Sequence, residues 1–116
     1  LRANIAAADR KIISMIRAKL PETKILLLGI FPRGPRSFRG VDEGWRARMA
    51  IIRAVNADLA KLDDGDHVRY LDITKAFLDY EGVIPRTLMP DQLHPNAAAD
   101  VVWAEAMQPL LTEMMK

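Results

Sequence analysis

The sequence predicts an α/β fold built around a parallel sheet. Two observations predict it. The elements follow the order helix, strand, helix, strand, helix, and the first strand is apolar on both faces. No apolar run reaches the ~18–20 residues needed to span a membrane, so no membrane span is predicted. A length of 116 residues suits one domain rather than two. The crossover that joins the two strands through a helix is expected to be right-handed.

The first helix is predicted over Asn4–Leu20, with Asn4 as the N-cap and Pro21 as the residue that ends it. Its apolar stripe has helical spacing and consists of Ile5, Ala8, Ile12, Ile16 and Leu20. The first strand is predicted over Lys24–Ile30, because Pro21 and Pro32 bound this apolar run too closely for a buried helix.

A loop and a second helix follow the first strand. The loop is predicted over Phe31–Asp42, where two prolines and two glycines oppose regular structure, and long loops in compact domains are often functional. The second helix is predicted over Glu43–Leu62 and ends in an acidic turn over 63–66. Its inward face is predicted to consist of Trp45, Met49, Ile52, Leu59 and Leu62.

The second strand is predicted over His67–Ile73, followed by a helical turn over Thr74–Leu78 and a tight turn over 79–82. The segment Val83–Pro95 is predicted to be irregular. The last helix is predicted over Asn96–Met115, and its inward face consists of Val102, Trp103, Ala106, Leu110 and Met114. Pro109 is expected to kink or break this helix.

Two strands are too few for a stable sheet. The first strand, apolar on both faces, requires cover on both sides and a neighbour on both edges. We therefore expect further strands from an N-terminal portion of the same protein. The absence of an initiator Met before Leu1 agrees with this expectation, so residues 1–116 are interpreted as the C-terminal portion of a single domain.

The composition excludes several classes of protein. The absence of cysteine excludes disulfide scaffolds, thiol catalysis and cysteine-based zinc sites. The net charge is only +2, and no block of five like charges occurs, so no nucleic-acid partner is indicated. The cellular compartment stays undetermined, because cytosolic and secreted proteins alike can lack cysteine.

The search for catalytic residues centres on the two histidines. His67 begins a strand after an acidic turn and is interpreted as a polar residue at the end of the sheet. His94 lies after the second strand, where loops at the carboxyl ends of strands carry active sites in α/β folds. Asp91, three residues earlier, is placed to accept a hydrogen bond from Nδ1 and to stabilise the imidazolium. Pro90 and Pro95 stiffen the backbone around this pair, although its spacing alone leaves a structural role open.

Two further groups of side chains each allow two interpretations. Arg33, Arg36 and Arg39 are either solvated loop residues or contacts for an anionic substrate, a carbohydrate or a partner protein. Trp45 and Trp103 either pack on helix faces or stack on sugars.

Several segments together resemble a known family. The segment Asp91–Pro95, followed by Trp103–Met107, resembles the last conserved block of the SGNH hydrolases, also called GDSL esterases. Residues 27–34 resemble the branch that is similar to the catalytic subunits of platelet-activating-factor acetylhydrolase, and residues 68–73 and 79–84 also fit this branch.

The resemblance implies a flavodoxin-like three-layer α/β/α sandwich with a five-stranded parallel sheet, of which this chain supplies only the C-terminal strands and helices. Family members use a serine in a Gly-Asp-Ser motif, an Asp-x-x-His block and an oxyanion hole. Asp91 and His94 match the Asp-x-x-His block, but no Gly-Asp-Ser motif is present. Ser14 and Ser37, the only serines, are not predicted on a strand-to-helix turn. The nucleophile is therefore expected on the missing N-terminal portion.

The function implied for the complete protein is that of a serine esterase, a GDSL acylhydrolase with a Ser-His-Asp catalytic triad. Its expected substrates are small acyl esters, acetyl esters first among them, of a carbohydrate or lipid, and it needs no metal or organic cofactor. Here His94 is the expected base, Asp91 orients it, and Arg33 is a candidate substrate contact. Dimers are common in this branch, so a homodimer is a candidate assembly. The alternative is a non-catalytic binding or assembly module on the same scaffold.

Overall fold

The computed structural model describes residues 2–35, 43–80 and 82–116. The elements in chain order are α1 (Arg2–Lys19), β1 (Ile25–Leu28), α2 (Glu43–Ala60), β2 (Val68–Leu71), α3 (Thr74–Phe77) and α4 (Ala97–Met114). This order confirms the predicted succession of elements, and α3 is the predicted helical turn. Part of the predicted loop, residues 36–42, lies outside the described residues.

The two strands pair in parallel, with Ile25 opposite Val68 and Leu28 opposite Leu71. Both strands are shorter than predicted. The last bond between them runs from Gly29 N to Leu71 O at 2.9 Å. The chain then turns at Asp72, whose side chain accepts a hydrogen bond from Thr74 N at 2.8 Å, so the ladder ends there.

Neighbouring residues of β2 point to opposite faces of the sheet and define the layers. Tyr70 packs on a core cluster of Ala6, Val55 and Leu59, which belong to α1 and α2. Leu71 packs on the other cluster, whose buried members are Ile73, Phe77, Ile84, Met89 and Ala99. The sheet therefore lies between α1 and α2 on one side and α3 and α4 on the other, as in an α/β/α sandwich.

Two predictions for α1 are wrong. The helix begins at Arg2, so Asn4 lies inside the first turn and is not the N-cap. Ile12 and Leu20, predicted to face inward, are 55% and 59% exposed. The reason is that α1 contacts the α2 core through the buried Ala6, which rotates the buried face by about one residue from the predicted stripe.

Helix α4 begins as predicted and is not broken by its proline. The Asn96 side chain accepts a hydrogen bond from Ala99 N at 3.0 Å and caps the first turn. The helix runs through Pro109 to Met114, so of the two outcomes predicted for this proline, a kink or a break, the break does not occur. Proline removes only one backbone bond, and the packing of the buried Met114 continues beyond it. None of the described helices is long and apolar enough to cross a membrane.

Candidate active site

The structure brings Asp91 and His94 into direct contact. His94 Nδ1 lies 2.5 Å from Asp91 Oδ2. Asp91 Oδ1 accepts the backbone N–H groups of Leu93 at 2.9 Å and of His94 at 2.7 Å. The carboxylate thus caps its own turn with one oxygen and faces the imidazole with the other, an arrangement that fixes both the ring orientation and its tautomer.

The hydrogen bonds of this turn keep Asp91 ionised. The His94 side chain contributes most, and the backbone N–H groups of His94 and Leu93 add to it, so that the pKa of the Asp91 carboxyl lies well below its ordinary value of 3.8. At neutral pH the carboxylate therefore carries the negative charge that stabilises a protonated imidazole.

The outer nitrogen of His94 faces solvent. The side chain of His94 is 76% exposed and that of Asp91 is 48% exposed. Within the described parts of the chain, no hydrogen bond or ion pair occupies His94 Nε2. With Nδ1 engaged by Asp91, Nε2 is the ring atom available to accept a proton from an approaching hydroxyl.

The turn between the two residues depends on Gln92, which the sequence analysis did not single out. Gln92 has φ of 61°, in the left-handed region, and its side chain is buried. Its Nε2 donates hydrogen bonds to Ile84 O at 3.1 Å and to Met89 O at 3.0 Å. No sequence signal reveals this role, because glutamine is not a typical residue at positive φ.

A second loop, the segment that follows β1, lies against this turn. Gly34 N donates a hydrogen bond to Gln92 O at 2.9 Å. Phe31, three residues earlier, packs on Phe77 with ring centroids 5.2 Å apart and edge-on against Trp103 at 4.9 Å. Trp103 is therefore engaged in packing, and the turn rests on a loop that is anchored in the core.

Among the described contacts, Arg33 is held by its backbone and not by its guanidinium. Trp45 Nε1 donates to Arg33 O at 2.6 Å, and Arg33 N contacts Met49 Sδ at 3.4 Å. The exposed side chain lies at a cavity of about 270 Å³ next to α2. No described contact joins it to Asp91 or His94, and Arg36 and Arg39 lie outside the described residues.

Asn56 is a second residue that the sequence analysis missed. It is 5% exposed, its Oδ1 accepts from Ile30 N at 2.7 Å, and its Nδ2 donates to Ile30 O at 3.1 Å. This pair of bonds fixes the chain just beyond β1. A signal for it was present, because Asn56 is a polar residue in helical spacing with the inward-facing Met49, Ile52 and Leu59.

His67 differs from His94 in its surroundings. Its Nδ1 lies 2.8 Å from Asp66 Oδ2, and its Nε2 lies 3.8 Å from Glu22 Oε2. Carboxylates thus face both ring nitrogens, in agreement with a polar residue at the end of the sheet. Among the described residues, no group of three histidine or acidic side chains is arranged to hold a metal ion.

The chain belongs to the GDSL-like lipase/acylhydrolase family, whose profile matches residues 2–100. This finding confirms the family resemblance drawn from the sequence.

Solved structures show the same fold. Eleven chains match, among them one from Streptococcus pneumoniae described as a platelet activating factor. That match has a TM-score of 0.70 and 20% identity, and it covers 95% of this chain and 50% of the other. The chain thus spans about half the length of that solved structure. No curated protein matches the present chain.

Proposed function

We propose that the complete protein is a serine esterase to which this chain contributes His94 as the general base and Asp91 as the residue that orients it. The observation that supports this proposal is the Asp91–His94 pair, with a 2.5 Å contact at Nδ1 and an exposed ring. Family membership supports the class of reaction. The nucleophilic serine is proposed to lie on a segment outside residues 1–116.

The proposed reaction has two halves. In the first, His94 Nε2 takes the proton from the serine hydroxyl as its oxygen bonds to the acyl carbon, and the Asp91 carboxylate stabilises the imidazolium. The imidazolium then gives that proton to the leaving alcohol, and an acyl-enzyme remains. In the second, water attacks the acyl carbon, His94 takes its proton, and the serine oxygen leaves with that proton to release the acid.

The sheet edges support a further segment beside β1. The outer edge of β2 is closed, because Asp64 and Asp63 side chains accept the N–H groups of Val68 at 2.9 Å and of Tyr70 at 2.7 Å. In β1, every second backbone N–H group points toward β2. The other N–H groups of β1, such as that of Leu26, point away from β2. They have no strand partner among the described residues. We propose that strands of the N-terminal portion pair there.

The proposed substrates are small acyl esters, with acetyl esters of a carbohydrate or lipid as the first candidates. Arg33, an exposed residue of the loop that contacts the Asp91–His94 turn, is the proposed contact for a polar or anionic part of the substrate. The proposed reaction needs no metal or organic cofactor, because proton transfer and acyl transfer are carried out by side chains.

The test is ester hydrolysis by the full-length protein and two histidine variants. With p-nitrophenyl acetate as substrate, His94→Ala is expected to lower kcat/KM by about 10³–10⁴-fold. His67→Ala is the matched control, since it removes the other histidine that pairs with an aspartate, and it is expected to retain activity.

Circular dichroism of the full-length protein and both variants checks that all are folded. Retention of activity by His94→Ala would contradict the assignment of the base. If the unmodified full-length protein neither hydrolyses esters nor reacts with a fluorophosphonate, the protein is instead a non-catalytic binding or assembly module.

A further inference from the structure

Gln92 occupies a backbone conformation that its residue type disfavours. Its φ of 61° is the one positive φ of a non-glycine residue among the described parts of the chain. In the left-handed region the Cβ atom approaches the following carbonyl oxygen, which is why glycine is the usual residue there. The backbone conformation alone therefore favours glycine over glutamine at this position.

The side chain of Gln92 ties the turn to the segment that precedes it. This residue is 2% exposed, and both hydrogen bonds of its Nε2 end on backbone carbonyls, those of Ile84 and Met89. Ile84 and Met89 are themselves buried in the core cluster that faces α4. The amide of Gln92 therefore anchors an exposed turn to rigid points of the interior.

The backbone of Gln92 makes a second connection, to the loop after β1. Its carbonyl oxygen accepts the hydrogen bond from Gly34 N at 2.9 Å. A Cβ atom at Gly34 would overlap with Oε1 of the Gln92 side chain, so this close approach requires glycine at position 34. The two loops thus meet at one residue.

The described hydrogen bonds that connect residues 91–94 with other segments all involve Gln92. The remaining bonds of the turn stay inside it, between Asp91 and the residues Leu93 and His94. Since the side chains of Asp91 and His94 are exposed, packing does little to hold them.

We propose that Gln92 is the positioning residue of the Asp91–His94 pair. Its amide holds the turn in the one backbone shape that lets Asp91 bind both the ring and the backbone of His94. This inference rests on the proposed function, in which His94 is the general base.

The test uses Gln92→Gly in the full-length protein. Glycine relieves the backbone conformation but removes the amide, so a role limited to the backbone would leave the variant unimpaired. We expect kcat to fall about 10- to 100-fold with KM little changed, because the base is misaligned while the groups that bind substrate stay in place. We also expect the low-field proton resonance of the His94 Nδ1–H to broaden or disappear.

Two further variants make the result specific. Gln92→Glu keeps the shape of the side chain but replaces the donor NH₂ with oxygen, and it is expected to show the same loss of resonance if Gln92→Gly does not fold. Leu59→Ala, at a 1% exposed position in the opposite core cluster, is the control. It is expected to lower Tm while it leaves the His94 resonance unchanged.

An unchanged His94 resonance and an unchanged kcat in Gln92→Gly would overturn the proposal. The resonance is to be recorded without substrate. The role of Gln92 and the proposed esterase function can therefore be contradicted independently of each other. A full-length protein that hydrolyses no ester contradicts the proposed function, whereas loss of the resonance in the variant still supports the role of Gln92.

Discussion

Asp91 contacts His94 twice, through different oxygens. Oδ2 faces the imidazole Nδ1 at 2.5 Å, and Oδ1 accepts the backbone N–H of the same histidine at 2.7 Å. The ring and its own backbone are thereby fixed to one carboxylate. A displacement of Asp91 would consequently move the ring relative to the turn as well as change its charge environment.

Replacing this carboxylate by an amide is expected to abolish most activity. In Asp91→Asn the amide can still cap the turn, but it lacks the negative charge and can present an N–H toward Nδ1, which favours the wrong tautomer. We expect kcat of the full-length protein to fall by about 10⁴-fold with the fold intact. Asp66→Asn, which alters the corresponding partner of His67, is the control that should retain kcat. Equal activities of the two variants would contradict the role of Asp91.

The same carboxylate makes stability depend on acid pH. The pKa of Asp91 is lowered in the folded state by the His94 side chain and by backbone N–H groups, whereas the unfolded chain keeps the ordinary value of 3.8. Below about pH 4 the unfolded state therefore binds a proton that the folded state does not, so the free energy of unfolding falls as the pH falls.

The measurement is urea unfolding of the full-length protein and of Asp91→Asn at a series of pH values from about 6 down to 2. The variant is expected to lose less stability on acidification than the unmodified protein. The pKa of Asp64 is also lowered, by the backbone N–H groups of Val68 and Asp66. Asp64 therefore makes the free energy of unfolding of both proteins fall to some extent with falling pH. Parallel curves would show that the Asp91 contacts do not contribute to folding.

Tyr70 carries a buried hydroxyl without a hydrogen-bond partner among the described residues. Burial, with the charge of Asp72 adding to it, raises its pKa to about 12 from 10.0. Above pH 10 the unfolded tyrosine loses its proton first, so the free energy of unfolding falls as the pH rises from 10 to about 12.

Tyr70→Phe removes both the buried hydroxyl without a partner and the titration of that hydroxyl. We expect the variant to be as stable as the unmodified protein or more stable by about 1 kcal/mol at neutral pH, since an unsatisfied buried polar group is removed. Its stability should fall less between pH 10 and 12. Tyr80→Phe is the control, because Tyr80 is 96% exposed and its replacement should change neither quantity. A clear destabilisation by Tyr70→Phe would mean that the hydroxyl has a partner in the complete protein.

The buried Asn56 predicts a loss of stability of a different origin. Asn56→Ala leaves both Ile30 N and Ile30 O without the side-chain partner that they have now. We expect the free energy of unfolding to fall by about 2–4 kcal/mol, the desolvation penalty of the two groups. Gln108→Ala, an exposed substitution in α4, should change it by less than about 0.5 kcal/mol. Similar small effects of both variants would contradict the stabilising role of the two hydrogen bonds between Asn56 and Ile30.

The sequence predicted the order of the elements and the contact between Asp91 and His94, because both depend on local patterns. Apolar spacing located the buried Met49 and Leu59, and Asp91 and His94 are close in the chain. The contacts that support the site are not local. The bond between Gly34 and Gln92 joins two loops that are far apart in sequence, and no spacing rule reveals it.

The errors of the sequence analysis have the same cause. Ile12 and Leu20 fit an amphipathic stripe, but the helix face that becomes buried was selected by the contact of Ala6 with the α2 core. At Pro109, where a kink or a break was predicted, the helix is not broken, because packing on the far side of that residue continues to hold it. In both places tertiary contacts outweighed local preference.

The central claim is that His94 serves a serine that lies outside residues 1–116. Fluorophosphonate labelling of the full-length protein, followed by peptide mapping by mass spectrometry, tests it most directly. We expect one labelled serine, in a peptide N-terminal to Leu1, and a much slower labelling rate in His94→Ala. Labelling of Ser14 or Ser37, or an equal labelling rate in the variant, would contradict the claim.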